Sequence, residues 1–279
     1  MTTRIGGKIS VIGGVAASLI MSHRIGGSCV QIVIGALDDR NSFITVDKED
    51  VTKVLNIKRK HGYYLVIHGK YIYNFCRASW GWQEDSLFKE LTIGNEFNSD
   101  VIIHQGKNIP ELKLTDDQAL EVFAAGVTRV AKRMRAASLG NRIILENSSR
   151  QGTELGYSLD QIAMILSLIP EELQKYFAVC IDTCHIFVAG EVDWEDPELF
   201  FAEFDHKIGL SRLAVVHLND SAIPFNGHND KHAAIGKGLI KKANLEKVVQ
   251  ICTSRSIPMI LETPSEGLSE EIAWAKKCT

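Results

Sequence analysis

A carboxylate and an imidazole lie three residues apart in segment 180–185, which reads Cys-Ile-Asp-Thr-Cys-His. An apolar run, Tyr176 to Val179, comes directly before this segment. A buried strand over this run would deliver Asp182 and His185 to its C-terminal end. Such a pair is compatible with many enzymes, so its chemistry depends on which other side chains lie close to it.

Other apolar runs of the chain also end in a histidine or a carboxylate. Their end residues are His68, His104, Glu146, His217 and Glu262. Asp230 and His232 follow in the loop after the seventh run. Taken singly, such a residue is more often a hydrogen-bonded structural group or a helix cap than a metal ligand. Together, five imidazoles and four carboxylates predict a site that binds cations.

The mixture of ligand types indicates which cations these would be. Four carboxylates packed together repel one another unless cations neutralise them. Imidazole and carboxylate ligands without thiolates suit Zn²⁺ or Mn²⁺ and argue against a structural zinc site. Nine ligands exceed the needs of one ion and fit two or three ions if some carboxylates bridge. Closely spaced metals activate water and clamp the attacking and leaving oxygens, as phosphoryl chemistry requires. Three divalent cations would also leave the site positive, so that an anionic phosphodiester could bind.

The elements that would position these residues are eight short apolar runs rich in Val and Ile, separated by segments of helical periodicity. The clearest helical segment, Thr115 to Ser138, has an apolar face, acidic residues in its first turn and basic residues near its end. Eight strand–helix repeats predict a (β/α)8 TIM barrel, whose strands end on one face. An open doubly wound sheet is the alternative, but no G-x-G-x-x-G follows a strand. We expect residues 1–279 to form a single domain with the metal site at the C-terminal mouth of the strands.

The amino-acid composition indicates the broad class of protein. The chain has 279 residues, 45% of them apolar and 23% charged, and a net charge of −3, so it lacks the basic character of many nucleic-acid-binding domains. Six scattered cysteines indicate reduced thiols and an intracellular, reducing compartment rather than secretion. Arg4 and Lys8 before the apolar run Ile9 to Ser22 resemble a signal peptide. We prefer a first strand and helix here because the strand count needs them.

Several sequence blocks resemble the signatures of the endonuclease IV family, which are xylose-isomerase-like TIM-barrel AP endonucleases that use three zinc ions. The blocks are HGKYIYN at 68–74, LENSSRQG at 145–152, CIDTCHIFVAG at 180–190, VHLND at 216–220, DKH at 230–232 and LETP at 261–264. Their order matches the family over nearly the whole chain.

The resemblance implies a ligand set and a reaction. His68, His104 and Glu146 would hold one zinc, with Mn²⁺ as an alternative at one of the positions. Glu146 would bridge to a second ion that is also held by Asp182, His217 and Glu262. A third ion would be held by His185, Asp230 and His232. A metal-activated hydroxide would hydrolyse the phosphodiester 5′ to an abasic site in double-stranded DNA, leaving a 3′-OH and a 5′-deoxyribose phosphate.

The resemblance also implies DNA contacts and a monomeric enzyme. Tyr71 and Ile72 match positions whose loop enters the minor groove in the family. The chain departs from the family pattern at Lys8, where a His is usual, and in the loop 35–40, which lacks the usual Lys/Asn/Arg-bearing stretch. We expect Lys8 to contact DNA and Arg40 to take over part of the role of that loop.

Two other functions remain open on the sequence. A metal-dependent sugar isomerase or epimerase would use the quartet Glu146, Asp182, His217 and Glu262 but would have no use for the other five ligands. A lesion-binding protein without catalysis would be expected to lack a ligand, and none is missing. Asp220, beside His217, is expected either to support a ligand or to have a structural role as a helix cap or in a loop.

Overall fold

Eight parallel strands close into a barrel in the order β1-β10-β7-β6-β5-β4-β3-β2. The computed structural model describes residues 3–77, 81–264 and 266–279. The barrel strands are β1 (Ile5–Lys8), β2 (Cys29–Ile32), β3 (Tyr64–His68), β4 (Asp100–Ile103), β5 (Ile143–Glu146), β6 (Phe177–Asp182), β7 (Leu213–His217) and β10 (Met259–Leu261). A short antiparallel hairpin, β8 (Asp220–Ser221) with β9 (His232–Ala233), lies outside the barrel sheet.

Helices occupy the segments between the strands. They are α1 (Val15–Arg24), α2 (Lys48–His61), α3 (Gly81–Glu96), α4 (Asp116–Ala136), α5 (Leu159–Leu168), α6 (Thr183–Val188), α7 (Pro197–Lys207), α8 (Lys242–Ser254) and α9 (Leu268–Lys277). Short 3-10 helices occur at Pro110–Leu112, Glu171–Tyr176 and Leu210–Arg212. The predicted TIM barrel is thus confirmed, including the N-terminal strand and helix.

Local sequence signals explain where the main helices begin and end. Thr115 and Gln118 form a capping box at the start of α4, each side chain bonding the backbone of the other residue. Asp47 caps α2, and Gly62 ends that helix in the left-handed region with φ 65°. Among the described residues, no helix combines the length and apolarity needed to cross a bilayer.

Two layers of apolar side chains hold the barrel together. Inside it, small and branched residues such as Val66, Ile102, Ile144 and Ala178 pack against one another and fill the barrel. Outside it, the opposite strand faces pack against the helices in one larger core. Strands that are buried on both faces read as continuous apolar runs, which is why the runs could be recognised in the sequence.

Candidate metal centre

All nine predicted ligands lie at the C-terminal mouth of the barrel, above the inner apolar core. His68, Glu146, Asp182 and His217 are the last residues of β3, β5, β6 and β7, respectively. His104 and Glu262 were predicted to end their strands, but β4 stops at Ile103 and β10 at Leu261, so both ligands are the first loop residues. Of the remaining three, His185 lies on α6, Asp230 lies in the loop before β9, and His232 is the first residue of β9.

The first group consists of His68, His104 and Glu146, whose candidate ligand atoms lie within 4.8 Å of one another. Glu146 Oε2 lies 3.4 Å from His68 Nε2 and 3.6 Å from His104 Nε2. This oxygen is buried and has no hydrogen-bond partner in the described part of the chain. A buried carboxylate oxygen without a donor is unusual, and a cation between it and the two imidazoles would satisfy it. The residues of this group therefore fit a metal ion.

The second group consists of Glu146, Asp182, His217 and Glu262. Nδ1 of His217 lies 2.8 Å from Glu146 Oε1, 3.8 Å from Asp182 Oδ2 and 3.2 Å from Glu262 Oε2. One imidazole nitrogen thus faces three carboxylates, an arrangement that a bound cation stabilises. Because the two oxygens of Glu146 face different groups, its carboxylate is positioned to bridge them.

The third group consists of His185, Asp230 and His232. Asp230 Oδ2 lies 3.1 Å from His185 Nε2, and its Oδ1 lies 3.1 Å from His232 Nε2. This group is the most open of the three, since the side chain of Asp230 is 42% exposed whereas those of Glu146 and Asp182 are fully buried.

Backbone carbonyls and one amide orient the imidazoles. Nδ1 of His68 donates to the carbonyl of Gly69 at 2.8 Å, and Nδ1 of His185 donates to the carbonyl of Asn147 at 3.0 Å. Both rings therefore present Nε2 to the ligand groups. His217 is turned the other way: its Nε2 lies 2.7 Å from the side-chain oxygen of Gln31, and its Nδ1 faces the carboxylates.

The backbone around Asp182 fixes both oxygens of its carboxylate. Oδ1 accepts from the backbone N–H groups of Cys184 and His185 and so caps α6, the helix that carries His185. Oδ2 accepts from Nδ2 of Asn219 at 2.6 Å. Asn147 bonds the backbone of Asp182 through both ends of its amide. The two asparagines hold Asp182 in place without being ligands themselves.

The electrostatics of the mouth favour bound cations. Burial on its own would raise the pKa of Glu146, but the imidazoles of His217 and His104 more than offset it and hold this pKa well below its usual range. Burial likewise opposes a charge on His185, but the carboxylates of Asp182 and Asp230 raise its pKa well above the usual value. The carboxylate of Glu146 therefore stays ionised and attracts positive charge into the site.

Two cysteines lie among the ligands. Cys180 is within ligand distance of Glu146 and His217, and Cys184 is within ligand distance of Asp182. Burial raises the pKa of Cys180 to about 12 and that of Cys184 still further above its usual value. Burial thus disfavours the thiolate, which is the form of cysteine that binds metal. Cys180 belongs to the inner barrel core, in line with the prediction that it serves packing.

Asp220 holds a loop in place rather than orienting a ligand. Its buried carboxylate accepts from the backbone N–H groups of Ser221, Gly236, Gly238 and Ile240. These bonds hold both ends of the segment 221–240, which carries Asp230 and His232. Of the two roles left open for Asp220 by the sequence, the structure supports the loop role.

A cavity of about 730 Å³ lies directly over the ligand groups. Three predicted DNA-contacting residues line it: Lys8, Tyr71 and Ile72. Lys8 Nζ lies 3.5 Å from the hydroxyl of Tyr71, which is 53% exposed. Arg40 does not line the cavity. Its guanidinium lies 5.8 Å from the ring centre of Trp82, on the helix side of its loop.

Sequence reasoning missed Gln31, Asn147 and Asn219. Both asparagines adjoin ligand-bearing positions, Asn147 directly after Glu146 and Asn219 two residues after His217, so their positions carried a usable signal. Gln31 gave a different signal. It is a fully buried polar residue within the apolar run Val-Gln-Ile-Val-Ile, and a buried amide requires hydrogen-bond partners.

Comparison with known proteins places this site in a family. Residues 21–278 match the xylose isomerase-like TIM barrel family. A protein of Acanthamoeba polyphaga mimivirus named endonuclease 4 is 32% identical over 97% of the chain and 88% of its own length. The crystal structure of endonuclease IV from Thermus thermophilus superposes with a TM-score of 0.81 at 26% identity, over 98% of the chain and 96% of that protein. A D-tagatose 3-epimerase-like protein shares the fold with a TM-score of 0.72 at 16% identity, over 98% of this chain and 96% of that one. The chain belongs to the endonuclease IV family within the xylose isomerase-like TIM barrels.

Proposed function

We propose that the chain is a DNA-repair AP endonuclease that hydrolyses the phosphodiester 5′ to an abasic site, leaving a 3′-OH and a 5′-deoxyribose phosphate. The observation that carries the proposal is the presence of three adjoining ligand groups beneath one open cavity. Membership of the endonuclease IV family supports the same reaction.

The residues present fit three zinc ions, with Mn²⁺ as an alternative at one position. His68, His104 and Glu146 would hold one ion, and His185, Asp230 and His232 would hold another. Glu146, Asp182, His217 and Glu262 would hold the ion between them. Such ions, when bound, activate water and neutralise the charge on a phosphodiester.

The residues of the chain would supply the binding and the orientation. The carboxylate of Glu146 would set the spacing of two ligand groups, because each of its oxygens faces a different group. Lys8 at the rim would contact a backbone phosphate, and Tyr71 and Ile72 would contact the minor groove. The inner barrel core, which lies beneath the ligand groups, would exclude bulk water from below.

The proposed partner is double-stranded DNA that contains abasic sites. A net charge of −3 would work against DNA binding, but bound divalent cations and Lys8 at the rim would make the mouth locally positive. We propose that the enzyme acts as an intracellular monomer.

A sugar isomerase or epimerase is the main alternative on this barrel. It would need the second ligand group alone, so His68, His104, His185, Asp230 and His232 would have no role. Metal analysis of the purified protein separates the two functions. Close to three ions per chain supports the nuclease, whereas a value near one favours the isomerase.

The direct test is incision of a duplex that contains one tetrahydrofuran abasic analogue. This analogue lacks the aldehyde that a lyase needs, so strand cleavage must be hydrolytic. We expect a single cut 5′ to the analogue, with a 3′-OH that a DNA polymerase can extend, and no cut in the matched undamaged duplex. Tight binding of the abasic duplex without incision would instead indicate a lesion-binding protein.

A further inference from the structure

Six of the eight barrel strands lead into a predicted metal ligand at their C-terminal ends, and β1 and β2 do not. β2 carries Gln31, whose side chain is fully buried although the residue is polar. Gln31 pairs in register with Lys8 on β1 and with Val66 on β3. Its side chain extends into the barrel, where both ends of its amide contact predicted ligands of the second group.

The two contacts of Gln31 fix the orientation of its amide. Nε2 of Gln31 lies 2.6 Å from Glu262 Oε1, and Oε1 of Gln31 lies 2.7 Å from His217 Nε2. With the amide reversed, its oxygen would face a carboxylate oxygen at this short distance, which is repulsive. The carboxylate of Glu262 therefore sets the NH₂ group on its own side and the amide oxygen toward His217.

The orientation of the amide in turn fixes the proton on His217. An amide oxygen only accepts hydrogen bonds, so Nε2 of His217 must carry a hydrogen and donate it to Gln31. While no ion is bound, Nδ1 also donates, to Glu146 Oε1 at 2.8 Å. Once the ring is neutral, as a metal ligand must be, its lone pair is on Nδ1, the atom that faces Glu146, Asp182 and Glu262. His68 and His185 carry their hydrogen on the other nitrogen, because backbone carbonyls accept from their Nδ1 atoms.

We propose that Gln31 is a positioning residue that holds His217 in its Nε2–H form and Glu262 in a fixed rotamer, so that both present their ligand atoms to the middle metal ion. This inference rests on the proposed function. The role needs a donor toward Glu262 and an acceptor toward His217 in one side chain, which an amide provides. A glutamate could accept from His217 but would repel Glu262, and an apolar residue would leave both ligands unsupported.

The first test is zinc affinity. Gln31→Met keeps the approximate side-chain volume and removes both hydrogen bonds. Competition with a chromogenic chelator should show that one of the zinc ions binds about 10- to 100-fold more weakly, with the remaining ions unchanged. The matched control is Gln174→Met. The amide of Gln174 donates to the carbonyls of Leu166 and Ile169, next to the start of β6 at the opposite end of the barrel, and its loss should leave zinc affinity unchanged.

The second test uses the wild-type protein, so it holds even if the Met variant does not fold. Zinc-loaded protein labelled with ¹⁵N-histidine should show a slowly exchanging ring N–H on Nε2 of one histidine, alongside Nδ1–H signals from others. Gln31→Met should make the Nε2–H exchange faster. A change in overall stability alone would not speed up the exchange of this one N–H selectively.

The outcomes separate the two proposals. If wild-type protein binds zinc and incises abasic duplex while Gln31→Met titrates like wild type, the role of Gln31 is wrong and the proposed function stands. A wild-type spectrum without any protected Nε2–H overturns the role of Gln31 in the same way. If wild-type protein binds no zinc and does not incise, the proposed function falls, and the inference falls with it.

Discussion

Glu146 Oε1 lies 2.8 Å from Nδ1 of His217, whereas the other oxygen of Glu146 faces His68 and His104. One fully buried carboxylate therefore belongs to two ligand groups. An amide in its place would offer a single oxygen and no charge, so it could serve only one group. Glu146 is for this reason the residue on which the spacing of the first two metal positions depends.

We expect Glu146→Gln to lower incision of an abasic duplex by about 10³-fold or more, since the loss of several kcal/mol of charge stabilisation has that effect on a rate. Single-turnover incision assays on protein saturated with zinc would measure it. Glu154→Gln is the matched control, because Glu154 lines the same cavity outside the ligand groups. Near-normal incision by Glu146→Gln would show that Glu146 is not a bridging ligand.

Removal of metal should destabilise the fold. The ligands come from the C-terminal ends of six barrel strands, from α6 and from the segment that leads into β9, so an ion that binds them cross-links distant parts of the chain. A ligand present at 100 times its Kd stabilises a protein by about 2.7 kcal/mol, and we expect at least this loss on chelation. Thermal unfolding with and without a chelator, followed by zinc addition, is the measurement. An unchanged Tm would contradict a structural contribution from the metals.

Asp220 should matter for the third ligand group although it contacts none of its members. Its carboxylate accepts four backbone hydrogen bonds at the two ends of the segment 221–240, which carries Asp230 and His232. We expect Asp220→Ala to lower the free energy of unfolding by about 3 kcal/mol, because it leaves buried N–H groups without an acceptor, and to weaken one metal position. Denaturant unfolding and zinc competition would measure the two effects.

The control for Asp220→Ala is Asp193→Ala, which removes a single exposed hydrogen bond to the backbone of Glu195. This change should cost less than about 1 kcal/mol and leave zinc binding unaltered. Equal effects of the two substitutions would mean that Asp220 has no special role in the loop.

The fold and the ligand positions could be predicted from the sequence because both follow from strand position. Parallel barrel strands end on one face, so His68 and His217 had to meet once both ended strands of the same barrel. The same reasoning places Asp182, at the end of β6, on this face of the barrel. The sequence could not show which ligands share a group, because that depends on side-chain rotamers at the mouth rather than on chain order.

Gln31 and Asp220 show why the rest could not be predicted. Whether Gln31 points into the barrel or toward the helices depends on the register of β2 with its neighbours, and a shift by one residue would reverse it. Asp220 adjoins a ligand block in the sequence, but its partners are backbone N–H groups up to 20 residues further along the chain. Backbone donors of a distant loop leave no pattern in residue types.

Glu90 should make stability depend on pH. It lies on the buried face of α3, and burial raises its pKa from 4.5 to about 7, although a hydrogen bond from Tyr73 opposes the rise. The folded protein thus keeps a proton that the unfolded chain releases between pH 4.5 and 7. The contribution of Glu90 to the free energy of unfolding is therefore present at low pH. It falls by about 3 kcal/mol in total as the pH rises through that window.

Glu90→Gln should remove this dependence, because the amide stays neutral at every pH. The variant is expected to match wild type near the lower end of that window and to exceed its free energy of unfolding by up to about 3 kcal/mol at about pH 8. Urea unfolding across this range measures the difference between the two proteins, in which the other titrating groups cancel. Glu84→Gln, whose carboxylate pairs with Arg129 of α4, serves as the control and should show no such gain in stability at high pH.

Lys8 should contribute to DNA affinity through a phosphate contact. Its ammonium lies at the rim of the cavity, 3.5 Å from the hydroxyl of Tyr71, and no carboxylate pairs with it among the described ion pairs. A lysine that neutralises one phosphate releases about one counterion, so Lys8→Ala should reduce the slope of log K against log salt by about 0.9. Fluorescence anisotropy with abasic duplex and catalytically inactive Glu146→Gln protein, at several salt concentrations, measures this slope.

Lys247→Ala, on the exposed face of α8, is the matched control and should leave the slope unchanged. Equal slopes for the two lysine variants would show that Lys8 does not contact the DNA backbone.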